Sequence, residues 1–342
     1  MEISYLISLA LARNASDLHL SSGLAPIIRI DGKLEKLDLP ILENDVLSPL
    51  MDGLMTSKQR QILQDELELD FAVQYESCRL RINIFKQARG ISAAFRIIPN
   101  HIKTLDELAL PPIFKDIALY TQGLVLLTGT TGSGKSTTLA ALIAFINKYQ
   151  YKHIITLEDP VEFIYESANS LIQQREINRD THSFNKALNS VLREDPDIIL
   201  VGELRDYQTI RLALTAAETG HLVFATLHTN SAATTVNRII DVFPGDERSM
   251  IRSMLSESLK AVIAQTLVPK ATGGRIAAFE IMIVNPAIKN LIREDKISQI
   301  YSTMQIGKKT GMQTFEQDLS KLYELQLISG EKLAKIPSIH SD

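Results

Sequence analysis

Residues Gly129 to Ser136 carry the pattern in this chain that points most directly to chemistry: a glycine, four residues of any type, and then Gly-Lys-Ser. The pattern is typical of a phosphate-binding loop when an apolar strand precedes it and a helix follows, as Leu124 to Leu127 and Thr137 to Ile146 predict here. Glycine lets backbone N–H groups turn towards phosphate oxygens, and the positive end of the helix adds to the attraction. The sequence therefore predicts an ATP site at Gly129, Thr130, Thr131, Gly132, Ser133, Gly134, Lys135, Ser136 and Thr137.

Two acidic residues at the ends of apolar segments are candidates for the reaction itself. Glu158 follows Ile154 to Leu157, and Glu203 follows Ile198 to Val201. Since the carboxyl ends of parallel strands lie along one edge of a sheet, both carboxylates are expected near the loop. We assign Glu203 to Mg²⁺ together with the Ser136 hydroxyl, and Glu158 to orienting the water that attacks the γ-phosphate.

A lysine and a histidine complete the predicted site. Lys135 is expected to reach the β- and γ-phosphates. His228 comes after the apolar segment Leu222 to Ala225, where it would donate a hydrogen bond to the γ-phosphate and respond to its loss. A histidine taken alone is more often a structural hydrogen-bonding residue, so this assignment depends on its neighbours.

The first part of the chain is predicted to form a small α+β domain, residues 1–98. Its expected strands are Pro26 to Ile30, ahead of an Asp31-Gly32 turn, and then Arg79 to Phe85 and Ile91 to Ile97. Helical periodicity runs from Glu43 to Leu69. These elements indicate an antiparallel sheet with helices, followed by a proline-containing linker at residues 99–112.

Residues 113–342 are predicted to form a larger α/β domain. The strands expected there are apolar on both faces and alternate with helices, which indicates a parallel sheet covered by helices. From Pro244 onward helical periodicity dominates, apart from a hairpin around Gly273 and Gly274 that ends in the strand Ala277 to Val284.

Composition limits the classes of partner. A net charge of -4 and a pI near 6.0 disfavour binding to nucleic acid. Cys78 is the only cysteine, which excludes an internal disulfide or a multi-cysteine zinc site and fits a reducing cytoplasm. No apolar run approaches the roughly 20 residues that span a bilayer, so membrane association is expected to be peripheral, through partners.

The motifs, in their order, resemble the type II/IV secretion ATPase superfamily, and within it the type IV pilus retraction ATPases (the PilT family). The likeness covers nearly the whole chain and includes segments beyond the nucleotide site. The segments that carry it are Ala15–Leu20, Leu157–Pro160, Arg193–Asp206, Gly220–His221, Leu227–Thr229 and Pro286–Arg293.

The resemblance implies a PAS-like N-terminal domain, a RecA-like ATPase domain and a ring of six copies. It implies that Arg81 and Arg96 reach the phosphates of a neighbouring subunit, where their charge would stabilise the transferred phosphoryl group. It also implies ATP and Mg²⁺ as ligands and an inner-membrane platform protein as partner. The activity implied is retraction of a pilus used for twitching motility or DNA uptake.

Several alternatives share the catalytic motifs. They are an accessory retraction ATPase, which would act beside a paralogue, and a pilus-extension or type II secretion ATPase. Extension and secretion ATPases generally add an N-terminal domain and often a four-cysteine zinc module, and a single cysteine argues against them. From other classes, an inactive ATP-binding scaffold is disfavoured by the intact Lys135, Ser136, Glu158 and Glu203, and a nucleic-acid motor by the acidic pI.

Overall fold

A computed structural model describes residues 2–75 and 78–330, so residues 331–342 of the predicted ATPase domain lie outside the described part. The chain divides into two compact units. Unit 1 contains residues up to His101 together with Glu162–Ile164, and unit 2 contains Ile102–Val161 and the residues from Tyr165 onward. The predicted domain limits at residues 98 and 112 stay a prediction.

Unit 1 is built on a six-stranded sheet whose strands run in the order β3-β2-β1-β6-β5-β4, with antiparallel pairing throughout. Its elements are α1 (Ile3–Ala12), β1 (Asp17–Ser21), β2 (Ile27–Ile30), β3 (Lys33–Lys36), α2 (Asn44–Asp52), α3 (Ser57–Glu66), β4 (Glu68–Tyr75), β5 (Cys78–Gln87) and β6 (Gly90–Pro99).

The turn between β2 and β3 shows how local sequence sets the register of this sheet. Ile30 pairs with Lys33, which leaves Asp31 and Gly32 as a two-residue loop. Both loop residues have positive φ, 47° and 84°, as the commonest tight hairpin turn requires. The turn predicted from the Asp-Gly pair is therefore confirmed.

Unit 2 contains a seven-stranded sheet in the order β13-β12-β7-β11-β10-β8-β9. Its elements are α4 (Ile113–Ala118), β7 (Gly123–Thr128), α5 (Lys135–Tyr149), β8 (His153–Glu158), β9 (Leu171–Glu176), α6 (Phe184–Val191), β10 (Ile198–Val201), α7 (Tyr207–Glu218), β11 (Leu222–Leu227), α8 (Ala232–Asp241), α9 (Arg248–Ser258), β12 (Leu259–Pro269), β13 (Arg275–Ile283), α10 (Pro286–Arg293), α11 (Ile300–Ile306) and α12 (Phe315–Glu324).

The central strand β7 is buried on both faces. Leu124 and Leu126 pack into one apolar core, whereas Val125 and Leu127 pack into a second core that also contains residues of α5. Every neighbouring pair from β12 to β9 is parallel, and only β12 and β13 pair antiparallel. The predicted parallel, helix-covered sheet is confirmed. The phosphate loop begins at the carboxyl end of its central strand, β7.

The predictions for two helical regions were wrong in part. Glu43 to Leu69 is interrupted, because Thr56 caps a new helix through Gln59, and Leu67 adopts a left-handed φ of 67° that ends it. The hairpin predicted around Gly273 and Gly274 is confirmed, because β12 and β13 pair antiparallel on either side of it. Its first strand, β12, has eleven residues and begins at Leu259, where helical periodicity was expected. A strand buried on both faces is apolar almost throughout, so its pattern cannot be told from that of a buried helix.

In the described ranges, no helix is long and apolar enough to cross a bilayer. The longest one described, α5, has 15 residues and begins directly at the phosphate loop.

Glu280 is a carboxyl in the middle of β13 and is almost completely buried, with 1% of its surface exposed. Its Oε1 accepts a hydrogen bond of 2.8 Å from the N–H of Ala232, the first residue of α8. Burial raises the pKa of Glu280 to about 7; the bond from Ala232 opposes the rise, and the charge of Glu316 adds to it. The start of α8 is thus tied to the sheet by a group that titrates near neutral pH.

This raised pKa predicts a specific pH dependence of stability. The folded state binds the Glu280 proton more tightly than the unfolded state, so the stabilisation is complete below about pH 4.5 and is lost as pH rises through 7. Glu280→Gln keeps an acceptor for Ala232 and cannot ionise. We expect urea unfolding to show that the free energy of unfolding of the variant, relative to that of the wild type, rises by roughly 2 to 3 kcal/mol between pH 5 and pH 8. A constant difference between the two proteins across that range would contradict the assignment.

Candidate active site

The phosphate loop occupies the junction between β7 and α5 and has the backbone conformation that its glycines allow. Gly129, Gly132 and Gly134 have positive φ of 142°, 78° and 91°, and Gly134 is the residue before α5 begins. A Cβ on Gly129 would lie 2.3 Å from the carbonyl oxygen of Gln265, a distance no side chain tolerates. Gly129 and Gly134 therefore need glycine for two reasons, their φ and the close approach of β12, whereas Gly132 needs it for its φ alone.

Lys135 and Ser133 face the inside of this loop. The Lys135 side chain is buried, and its Nζ donates hydrogen bonds to the carbonyl oxygens of Gly129 at 2.8 Å and Thr130 at 3.0 Å. The buried hydroxyl of Ser133 has no hydrogen-bond partner among the described residues. Ser136, in contrast, is exposed at the first turn of α5. An ammonium, a buried hydroxyl and the helix start suit an anionic phosphate.

The strand register brings the predicted acidic residues to the edge of the sheet that carries the loop. Leu157 pairs with Val201, and Val201 pairs with Ala225. The residues that follow these three positions therefore leave the sheet side by side, at the same edge. Glu158 is held there by two hydrogen bonds to its Oε1, from Thr156 Oγ1 at 2.6 Å and from Gln174 Nε2 at 3.2 Å. The side chain that we assigned to the attacking water therefore has a fixed orientation.

Glu203 lies between the side chains of Arg205 and His228. Arg205 forms an ion pair with one carboxylate oxygen, and His228 Nε2 lies 3.4 Å from the other. Burial alone raises the pKa of Glu203, but hydrogen bonds and charge from Arg205, with a smaller contribution from His228, outweigh it and lower that pKa. Glu203 is therefore ionised at neutral pH, and the structure brings His228 beside it.

The residues present fit a magnesium ion by type. Ser136 and Glu203, the predicted ligands, are oxygen donors, the class that Mg²⁺ prefers, and Mg²⁺ usually completes its shell with water and substrate phosphates. In the parts of the chain that the structure describes, no cluster of three or more His, Cys, Asp or Glu side chains could hold a metal ion. The assignment of Mg²⁺ to these two residues stays a prediction.

The two predicted arginines lie in unit 1, opposite each other on neighbouring strands. Arg81 of β5 pairs with Arg96 of β6 in the register. Arg81 contacts Asp70 at 2.7 Å, and Arg96 contacts Asp17 at 3.1 Å. Each arginine side chain keeps a third to a half of its surface exposed, so it remains accessible from solvent.

Two residues that contact the site were not predicted from the sequence. Gln174 holds Glu158 from β9, and Gln265 of β12 contacts the phosphate loop. A sequence signal existed for the second: Gln265 is a polar residue inside the apolar run from Ala261 to Val268. Buried polar groups need hydrogen-bond partners, so such a residue marks a specific contact.

Comparison with known proteins identifies the family. The model of the family described as type II/IV secretion system protein matches residues 2–273. The chain belongs to this family. The match spans both units, and the resemblance predicted from the motifs is confirmed.

Individual relatives agree over nearly the full length. The chain is 54% identical over 341 residues to the type IV pilus retraction ATPase PilT of Pseudomonas aeruginosa, with 98% of this chain and 99% of that protein covered. It is 38% identical over 325 residues to the type IV pilus ATPase PilU of the same organism, covering 94% and 85%. A crystal structure of the pilus retraction motor PilT with bound ADP matches with a TM-score of 0.88 and 44% identity, over 97% of this chain and 96% of that one.

Replacing Gly129 should separate the close contact from the effect of φ. Gly129→Ala places a methyl group against the Gln265 carbonyl, and we expect nucleotide affinity in a fluorescence titration to fall at least about 10-fold, or about 1.4 kcal/mol. Gly132→Ala is the matched control, because its φ of 78° is also left-handed but no atom lies within 4 Å of the added Cβ. Equal losses in the two variants would show that φ alone requires glycine.

Proposed function

We propose that this chain is an ATPase that uses ATP hydrolysis to retract a type IV pilus. The observation that carries the proposal is the meeting of the phosphate loop with Glu158 and Glu203 along one edge of the sheet. Full-length similarity to a type IV pilus retraction ATPase supplies the biological setting.

Nucleotide binding follows from charge and backbone direction. Gly129 to Thr137 supply backbone N–H groups, hydroxyls and the positive end of α5 to the phosphates. Lys135 already lies over the loop, where phosphate oxygens would replace the two carbonyl oxygens as acceptors of its ammonium hydrogens. This exchange puts a full negative charge against the lysine in place of two neutral dipoles, so it favours the bound state.

Hydrolysis needs an oriented water and a group that responds to the γ-phosphate. Glu158, held by Thr156 and Gln174, accepts a hydrogen bond from that water and aligns it for in-line attack. Ser136 and Glu203 would hold Mg²⁺, which neutralises charge developing on the phosphates. His228 lies beside Glu203, so a change in the charge around Glu203 after phosphate loss alters the contact between them.

A ring of six copies completes the proposed motor. Arg81 and Arg96 would contribute guanidinium charge to the nucleotide of a neighbouring subunit, in addition to their present contacts with Asp70 and Asp17. Unit 1 would correspond to the PAS-like domain and unit 2 to the RecA-like domain. ATP turnover would drive an inner-membrane platform protein from the cytoplasmic face of the inner membrane, and a paralogous retraction ATPase could act beside the ring. No nucleic acid is required.

The main retraction role is favoured over an accessory one. Identity is 54% to the retraction ATPase PilT and 38% to PilU of the same organism, at similar coverage of this chain. A pilus-extension or type II secretion ATPase is the remaining alternative, because it would share the catalytic residues.

The enzymatic part of the proposal is tested by two substitutions in the purified protein. Lys135→Ala removes the ammonium, and we expect nucleotide affinity and steady-state ATP turnover both to fall about 100-fold or more. Glu158→Gln keeps the size of the side chain and an acceptor for Thr156, so we expect unchanged ATP binding with turnover reduced at least about 100-fold. Wild-type turnover in Lys135→Ala would refute the site.

The cellular part is tested by deleting the gene and restoring it with the wild type or Glu158→Gln. If the chain retracts pili, the deleted cells and the Glu158→Gln cells will be hyperpiliated and will neither twitch nor take up DNA through the pilus. Loss of pili would instead identify an extension ATPase. Retraction that persists at reduced force would identify the accessory role.

A further inference from the structure

Gln265 is buried in the second half of β12, one residue after the position that pairs with the end of β7, and 3% of its surface is exposed. Strand alternation explains its direction: Ile263 and Ala261, two and four residues earlier, lie in the core that also contains α5 residues. The Gln265 side chain lies on the same face of β12, just beyond the residues of that apolar core. Its carboxamide reaches the loop and the first turns of α5.

Both ends of the carboxamide are used. Nε2 donates a hydrogen bond of 2.8 Å to the Ser133 carbonyl oxygen, and Oε1 accepts one of 2.8 Å from the Thr138 hydroxyl. A carbonyl oxygen can only accept, so Nε2 has to face Ser133, and one orientation of the amide satisfies both partners. The side chain therefore joins the loop to α5 through a single rigid group.

The bond to Ser133 fixes the direction of an N–H group in the loop. In a trans peptide the C=O and the following N–H point in opposite directions across one plane. Since the Ser133 C=O points at Gln265, the N–H of Gly134 points away from β12. Gln265 thus orients one of the amides that the phosphate loop uses for anions.

Gln265 also accounts for two glycines of the motif. A Cβ on Gly129 would lie 2.3 Å from the Gln265 carbonyl oxygen, and a Cβ on Gly134 would lie 2.8 Å from its Nε2. Backbone and side chain of one residue therefore touch the loop at both ends, and only glycine permits this approach.

The outer strand holds Gln265 at its position. Gln265 pairs with Phe279 of β13, and the Phe279 N–H donates to Asp318 Oδ2 at 2.8 Å while its carbonyl oxygen accepts from Gln313 Nε2 at 3.2 Å. The residue opposite Gln265 is consequently tied to α12 and the segment before it, which limits movement of the strand pair along its length.

We propose that Gln265 is a positioning residue for nucleotide binding, which sets the peptide plane between Ser133 and Gly134 and couples it to Thr138. This inference rests on the nucleotide site of the proposed function. It assigns to β12 a role that neither the motif nor the composition of the chain indicates.

The test compares three variants and one control by titration with fluorescently labelled ADP. Gln265→Met keeps the length of the side chain and removes both hydrogen bonds, and we expect the Kd to rise at least about 10-fold. Gln265→Glu keeps an acceptor for Thr138 and removes the donor to Ser133, so we expect the Kd of this variant to rise as much. Thr138→Val should raise the Kd about 3-fold. Thr266→Val, at the next position of β12 with the opposite side-chain direction, is expected to bind as the wild type does.

Coupling between the two partners distinguishes positioning from a general loss of stability. In the Gln265→Met background, adding Thr138→Val should not raise the Kd further, because the bond between them is already absent. Additive losses, or an equal loss in Thr266→Val, would overturn the inference. If Gln265→Met does not fold, Thr138→Val decides alone, and a Kd equal to that of the wild type would overturn it. A wild-type chain that binds no ADP would refute the proposed function itself.

Discussion

The close approach of β12 to the phosphate loop is the constraint on which the rest of the site depends. The Gln265 carbonyl oxygen and carboxamide lie where side chains on Gly129 and Gly134 would be, so these two positions must be glycine. Glycine in turn permits the positive φ that turns backbone N–H groups inward. The loop therefore owes its anion-binding shape to a neighbouring strand as well as to its own sequence.

The parallel register then assembles charges around that shape. Each strand ends at the same edge, and each contributes one reacting or charged group: Lys135 after β7, Glu158 at the end of β8, Glu203 after β10 and His228 after β11. Their partners limit how they move. Thr156 and Gln174 fix Glu158, while Arg205 and His228 keep Glu203 ionised. In the strand order β7-β11-β10-β8, Lys135 and His228 come first and the carboxylates Glu203 and Glu158 follow. The phosphates would therefore meet the ammonium, and the attacking water would meet a carboxylate.

The sequence was sufficient for the parts of the fold whose signals are local. The phosphate loop and the Asp31-Gly32 turn were predicted because each is a short pattern with one structural solution. The four core strands were predicted because their apolar runs are short and alternate with helical segments. The full length of β12 was not predicted, since an eleven-residue apolar run is long for a strand and, when buried on both faces, has no distinguishing period. A polar residue inside an apolar run marks Gln265 as making a specific contact, but its partner could not be predicted, because Ser133 lies 132 positions away in the chain.

The most direct measurement is a crystal structure with a non-hydrolysable ATP analogue and Mg²⁺. The account predicts the triphosphate along the amides of Gly129 to Ser136, with the Lys135 Nζ moved from the carbonyl oxygens of Gly129 and Thr130 to the phosphates. It also predicts that Gln265 keeps its bond to Ser133. A nucleotide bound elsewhere, or a loop in which Lys135 retains its carbonyl partners at saturating analogue, would contradict it.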